Sequence, residues 1–188
     1  MKKTSAILLI FLVLIVSISI MIVPTFFTKG ISRITLHQEL DLPLILNDNK
    51  DIEIIFFGYA GCVDICTPRL QALSDFYNKL NKKIKQRVGL VFLDISSPIN
   101  KNLPSEFAKS FNDNFRGIYL NSSILRNYTK AFSVYFSKSL MNKTEYDHTT
   151  NLYIVKRDKR KKEVRYIYTA YPYDFKQINL DIKALLNE

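Results

Sequence analysis

Cys62 and Cys66 stand four positions apart in FFGYAGCVDICTPRL, directly after an apolar run and directly before a stretch with helical periodicity. Backbone N–H groups at a helix start favour the thiolate, which is both a nucleophile and a ligand for soft metals. Thiol–disulfide exchange normally uses two intervening residues, whereas three intervene here. Residues four apart share a helix face, so both sulfurs can turn toward one point, which suits chelation. A disulfide stays open as well, because Cys62 falls in the loop before the helix, where the backbone can adjust. Two thiolates leave a ligand position to fill, and the chain has two histidines. His37 reads as an ordinary exposed residue. His148, in EYDHTTNLYIV, stands just before a predicted strand.

The elements that must position these groups alternate in type. Asp51 to Phe57 (DIEIIFF) and Val88 to Ile95 read as short buried strands rich in β-branched and aromatic residues. Between them Pro68 to about Lys83 predicts one helix, with Leu70, Leu73, Tyr77, Leu80 and Ile84 at three- and four-residue steps. Such a crossover makes the two strands parallel. Further along, a helix is expected over Ser105 to Phe111, a strand near Gly117 to Leu120, and a helix from Ser122 to Phe132 with Ser at the N-cap. Asn151 to Lys156 and Glu163 to Ile167 read as an antiparallel pair, and Asp174 to Leu186 as a closing helix. This is the plan of an α/β, thioredoxin-like domain, with the cysteines at the start of the helix after the first parallel strand. In that fold the turn before the strand at Asn151 faces the thiols and usually carries a proline. Here no proline lies between Pro104 and Pro172. His148 in that place would complete a Cys2His site.

Compartment decides what such a pair can do. From Ala6 to Phe27 the chain is uncharged and almost wholly apolar, about the 20 residues that cross a bilayer as a helix. With Lys2 and Lys3 before it, residues 1–28 are expected to be an uncleaved anchor, 29–50 a lead-in, and 51–188 one domain. That places the protein in the inner (cytoplasmic) membrane as a single-pass chain, its C-terminal domain in the oxidising periplasm. The net charge of +10 suits anionic lipid or an acidic partner, and beside an anchor no nucleic-acid partner is expected. The run KRDKRKK, Lys156 to Lys162, reads as a solvated turn between two strands. Repeats and Gly-rich phosphate loops are absent from the sequence.

FFGYAGCVDICTPRL followed by DHTTNLYIV resembles the SCO/SenC family of membrane-anchored, thioredoxin-like proteins that deliver copper during cytochrome c oxidase assembly. Phe57, Gly58, Tyr59, Cys62, Asp64, Cys66, Leu70, Asp147, His148 and Tyr153 match the family's two motifs, with Thr149 in place of a serine. Val63 and Thr67 replace the prolines usual after each cysteine, and Asp94 survives from the motif after the second strand. The resemblance implies copper ligands at Cys62, Cys66 and His148. It also implies a partner, either the copper-site subunit of cytochrome c oxidase or another copper chaperone, and a monomer is expected.

Thiolates favour Cu(I), while imidazole tolerates both Cu(I) and Cu(II), so a Cys2His site could hold either. Asp64 and Asp147 are candidates to orient the ligands, and Tyr59 reads as a packing residue at the pocket edge. Zinc is a weaker reading, because no fourth protein ligand is in view. The rival class is a membrane-tethered thiol:disulfide oxidoreductase, with Cys62 attacking and Cys66 resolving as its catalytic pair. A scaffold with a structural disulfide is the third reading.

Overall fold

In the computed structural model the described residues are 11–17, 33–42, 50–142, 144–158 and 161–188. The chain divides into two units, Met1–Ser32 and Arg33–Glu188. In the first, residues 11–17 are α-helical and exposed, and the rest of the expected anchor lies outside the described residues. Among the described residues no helix is long and apolar enough to cross a membrane.

The second unit is built on a six-stranded sheet. Its strands are β1 (Arg33–Glu39), β2 (Ile52–Gly58), β3 (Val88–Asp94), β4 (Phe115–Tyr119), β7 (Leu152–Asp158) and β8 (Lys161–Tyr168), in the order β1-β8-β7-β2-β3-β4. A separate hairpin pairs β5 (Phe136–Lys138) with β6 (Tyr146–His148). The helices are α1 (Cys66–Lys79), α2 (Lys82–Arg87), α3 (Leu103–Lys109), α4 (Ser122–Ala131) and α5 (Phe175–Asn187).

Every residue of β2 and β3 is buried, as their unbroken apolar runs require of parallel strands covered on both faces. Burying side chains such as Phe56, Phe57, Phe92 and Ile54 contributes roughly 1.5–3 kcal/mol each. Glu53 and, at the end of β3, Asp94 are carboxylates buried in these strands, and Glu53 lies mid-strand. The Glu53 carboxylate accepts from Arg116 Nη2 at 3.3 Å, since a buried charge is tolerable only when paired.

Several expected elements are corrected. The single helix over Pro68 to Lys83 is two, because Leu80 turns extended (ψ 143°) and Asn81 starts a new helix by accepting from Ile84 N at 2.8 Å. Apolar spacing persists through the break, so periodicity alone does not reveal it. Asn121, not Ser122, is the cap of α4, accepting from Ile124 N at 3.0 Å. The basic run is mostly strand: Lys156 to Asp158 end β7, Lys161 and Lys162 open β8, and Arg157 pairs with Lys162 in register. Long charged side chains reach water from the strand ends next to the turn, so pairing there demands no burial of the charge. Arg33–Glu39 forms an edge strand on β8. His37 within it is exposed, with Nδ1 3.6 Å from Glu163 Oε2.

Candidate metal centre

The site forms where β2 ends and α1 begins. Cys66 is the first residue of α1, and Ile65 at the N-cap offers no capping side chain. Cys62 takes that role: Cys66 N donates to its Sγ at 3.2 Å, and Thr67 N and Oγ1 donate to its carbonyl at 3.2 and 3.0 Å. One orphan N–H at the helix start is thus satisfied by the sulfur and the next by the Cys62 carbonyl, and the first of these favours the thiolate. Thr67 supplies by hydrogen bonds some of the rigidity that a proline would give the loop.

Two glycines allow this path. A Cβ on Gly58 would lie 2.6 Å from Cys66 Sγ, so only hydrogen leaves room for the sulfur over the end of β2. Gly61 has φ +91°, a conformation that side chains rarely adopt. Asp94, wholly buried at the end of β3, pins the loop from the other side. It accepts from Ala60 N at 2.9 Å, Ser96 N at 2.7 Å and Ser96 Oγ at 2.5 Å.

His148 arrives on the β5–β6 hairpin, opposite Phe136. Hydrogen bonds from Thr149 N to Tyr135 O (2.9 Å) and from Tyr135 N to Thr149 Oγ1 (3.0 Å) secure that strand end. Its Nδ1 donates to Thr149 O at 3.0 Å, since a carbonyl only accepts. This fixes the proton on Nδ1 and leaves the Nε2 lone pair pointing into the site, 3.8 Å from Cys66 Sγ. Tyr59 packs edge-on to the imidazole with ring centres 6.1 Å apart, and against Tyr146 at 5.3 Å. Its hydroxyl is pushed up to about 12, by burial first and then by the neighbouring Cys62.

The Cys62 and Cys66 sulfurs and a His148 nitrogen all lie within 4.8 Å of one another, and both cysteines are free and buried. Bonds of roughly 2.0–2.3 Å to one ion would hold neighbouring donors about 3.6–4.0 Å apart, so the set needs only a small contraction to close on a metal. Two thiolates and one imidazole nitrogen form a donor set that fits copper.

The two thiols are unlike. A hydrogen bond from Cys66, together with the backbone N–H groups of Cys66 and Ile65, outweighs burial and draws Cys62 down to about 4. Cys66 is pushed strongly upward, because its S–H is held by Cys62 and because it is buried.

The structure therefore brings together all three residues singled out from sequence. Asp64 and Asp147 are exposed and line a pocket of about 190 Å³ beside Cys62 together with Glu145, but among the described residues neither carboxylate bonds to a donor side chain. The supporting groups that sequence reasoning overlooked are Asp94 as the loop clamp, Thr67, and the Thr149 carbonyl. Asp94 carried a signal: a carboxylate closing a buried strand, with serine two residues on, is the pattern of an Asx turn.

Comparison with known proteins gives a consistent result. A family model described as SCO1/SenC matches residues 51–186. An SCO2-like protein of Rickettsia conorii is 25% identical over 100 residues, 50% of this chain and 47% of that protein, so the chain spans about half the length of that relative. Apo Sco1 from Thermus thermophilus, solved in solution, is 24% identical, with 84% of this chain and 95% of that chain covered at a TM-score of 0.62. ScoI of Arabidopsis thaliana, crystallised with copper bound, is 19% identical, with 74% and 86% covered at a TM-score of 0.62. These likenesses establish the α/β, thioredoxin-like fold.

Proposed function

The chain belongs to the SCO1/SenC family, and on that premise we propose that it is a copper-binding metallochaperone, delivering copper during cytochrome c oxidase assembly from a site made of Cys62, Cys66 and His148. The observation that carries this reading is the convergence of two free thiols and an imidazole whose tautomer is already set for ligation. Loading requires both thiols to lose their protons, so binding releases protons and weakens in acid. Cys62 is poised for this by its low pKa, whereas Cys66 gives up its proton only as copper arrives. Release proceeds by stepwise exchange, with acceptor thiolates of the recipient replacing Cys62, Cys66 and His148 in turn. The recipient is the copper-site subunit of the oxidase or a further chaperone. The apolar stretch Ala6–Phe27, with Lys2 and Lys3 before it, supports a single-pass anchor in the inner membrane and a periplasmic domain.

One observation also favours thiol:disulfide exchange. Cys62 is a stabilised thiolate lining the small pocket, and Cys66 is a protonated neighbour, more deeply buried, whose N–H already contacts the first sulfur. On that reading Cys62 attacks a client disulfide and releases one client thiolate. Cys66 then displaces the second, leaving a Cys62–Cys66 disulfide and a reduced client.

Anaerobic copper titration of the reduced chain, with metal analysis, separates the two. The chaperone reading expects one equivalent bound, and an affinity loss on His148→Ala exceeding the about 10–100-fold typical of outer partners. Copper binding unchanged by His148→Ala, together with loss of disulfide reduction in Cys62→Ser, would replace it with the oxidoreductase reading.

A further inference from the structure

At the far end of α1 from the cysteines, two adjoining cavities of about 290 and 370 Å³ share Asn81, Ile84 and Lys183. They form one cleft between the α1–α2 junction and α5. Its floor is apolar: Phe76, Leu80 and Ile84 from one wall, Phe175 and Leu186 from the other. Phe76 and Phe175 stack across it at 4.9 Å, with planes 15° apart. The cleft exists because the helix breaks at Leu80 and Asn81 restarts it.

Its rim is cationic. Lys79 and Lys83 stand on one wall, Lys176 and Lys183 on the other, and no acidic residue lines either cavity. Among the described residues none of these four lysines makes an ion pair. Arg87, also at the rim, is already engaged by Asp51 and the Leu186 carbonyl.

We propose that this cleft binds an acidic amphipathic helix of a partner protein. Cations on both walls, spread over the eight residues from Lys176 to Lys183, cover roughly 10 Å, or about two turns of a bound helix. Charge distributed along a cleft fits a rod carrying several carboxylates, whereas a lipid offers its charge at one end. Phe76, Leu80 and Ile84 close the floor as buried core, and the partly exposed Phe175 and Leu186 leave apolar surface in the recess, which an inserted apolar stripe reaches and a flat bilayer does not. Because α1 is 14 residues long, the cleft lies about 20 Å from Cys66, so a partner held there leaves the thiols free.

The test uses the full chain in nanodiscs of zwitterionic lipid and a fluorescein-labelled 14-residue helical peptide. That peptide carries leucines on one face and glutamates on the other; a scrambled peptide of the same composition serves as control. Fluorescence anisotropy is expected to show saturable binding of the amphipathic peptide that falls on raising salt, with Ile84 methyl NMR shifts marking the cleft. Affinity is expected to drop at least tenfold in Lys79→Glu/Lys183→Glu and by a smaller factor in Lys79→Gln/Lys183→Gln, with one equivalent of copper still bound by both. Equal binding of the scrambled peptide would overturn the proposal, as would indifference to both double substitutions. Shifts at Ile84 produced by dioctanoylphosphatidylglycerol but not by the peptide would overturn it in favour of a lipid site.

Discussion

The two ends of α1 solve opposite problems. At the cysteine end the sulfurs are buried and His148 is half-buried, and fixed hydrogen bonds hold the site: Cys62 Sγ from Cys66 N, the loop through Ala60 N to the Asp94 carboxylate, His148 to the Thr149 carbonyl. At the lysine end Lys79, Lys83, Lys176 and Lys183 are exposed and, among the described residues, make no ion pair, which leaves them free to follow a ligand. Electrostatics differ likewise. Although the chain carries a net charge of +10, carboxylates of Asp64, Glu145 and Asp147 line the pocket beside Cys62, while lysines line the far cleft. Metal ligation demands a precision of tenths of an ångström, which fixed hydrogen bonds supply, whereas long-range attraction needs little more than the right sign of charge.

Removing the clamp should break the first side of that contrast most severely. Asp94→Ala leaves two backbone N–H groups and the Ser96 hydroxyl without their acceptor, a loss of about 3 kcal/mol or more in urea unfolding of the reduced protein. Copper affinity should fall roughly 10–100-fold with it. Retention of both stability and affinity would show that the loop is fixed by other means.

Gly58→Ala probes the same end by crowding. The new methyl would meet Cys66 Sγ at 2.6 Å, so about 1–3 kcal/mol of destabilisation is expected, with a loosened copper site. An unchanged urea midpoint would mean that the sulfur moves freely.

A pH series sharpens the contrast further. Folding lowers Cys62 from about 8.5 to about 4. A group depressed by folding stabilises the native state fully above its unfolded value, and the gain is lost as pH falls through the folded one. Folding raises Cys66, so its contribution is complete below about 8.5 and is lost above it. The stability difference between the reduced protein and Cys62→Ser should therefore widen from pH 5 to pH 8 in urea melts. A difference that is flat over that range would refute the assignment of Cys62 as the thiolate.

The smallest effect belongs to surface pairs away from the site. Lys161→Ala removes an exposed contact with Glu39 at 3.3 Å and should change stability by less than about 0.5 kcal/mol. A larger loss would mean that the β1–β8 edge depends on charge more than on strand pairing.

Much of the fold was legible because the strands of this sheet carry strong local signals. DIEIIFF and VGLVFLDI are too apolar and β-branched to be anything but buried strands, and they appear as β2 and β3 within a residue or so at each end. The hairpin β5–β6 was not legible, because three-residue strands have no period to detect. Nor was the break at Leu80, where Asn81 interrupts the helix without interrupting its apolar stripe.

By itself the sequence determined which donor atoms exist, since it holds two cysteines and two histidines, and it put the thiols at a strand-to-helix junction where local backbone geometry favours the thiolate. Tertiary structure alone decided that His148, 82 residues from Cys66, brings Nε2 within 3.8 Å of that sulfur. It alone also decided that Nδ1 keeps the proton through the Thr149 carbonyl. Local patterns encode what neighbours along the chain prefer. Convergence of remote groups depends on sheet order and hairpin register, which many weak contacts set together.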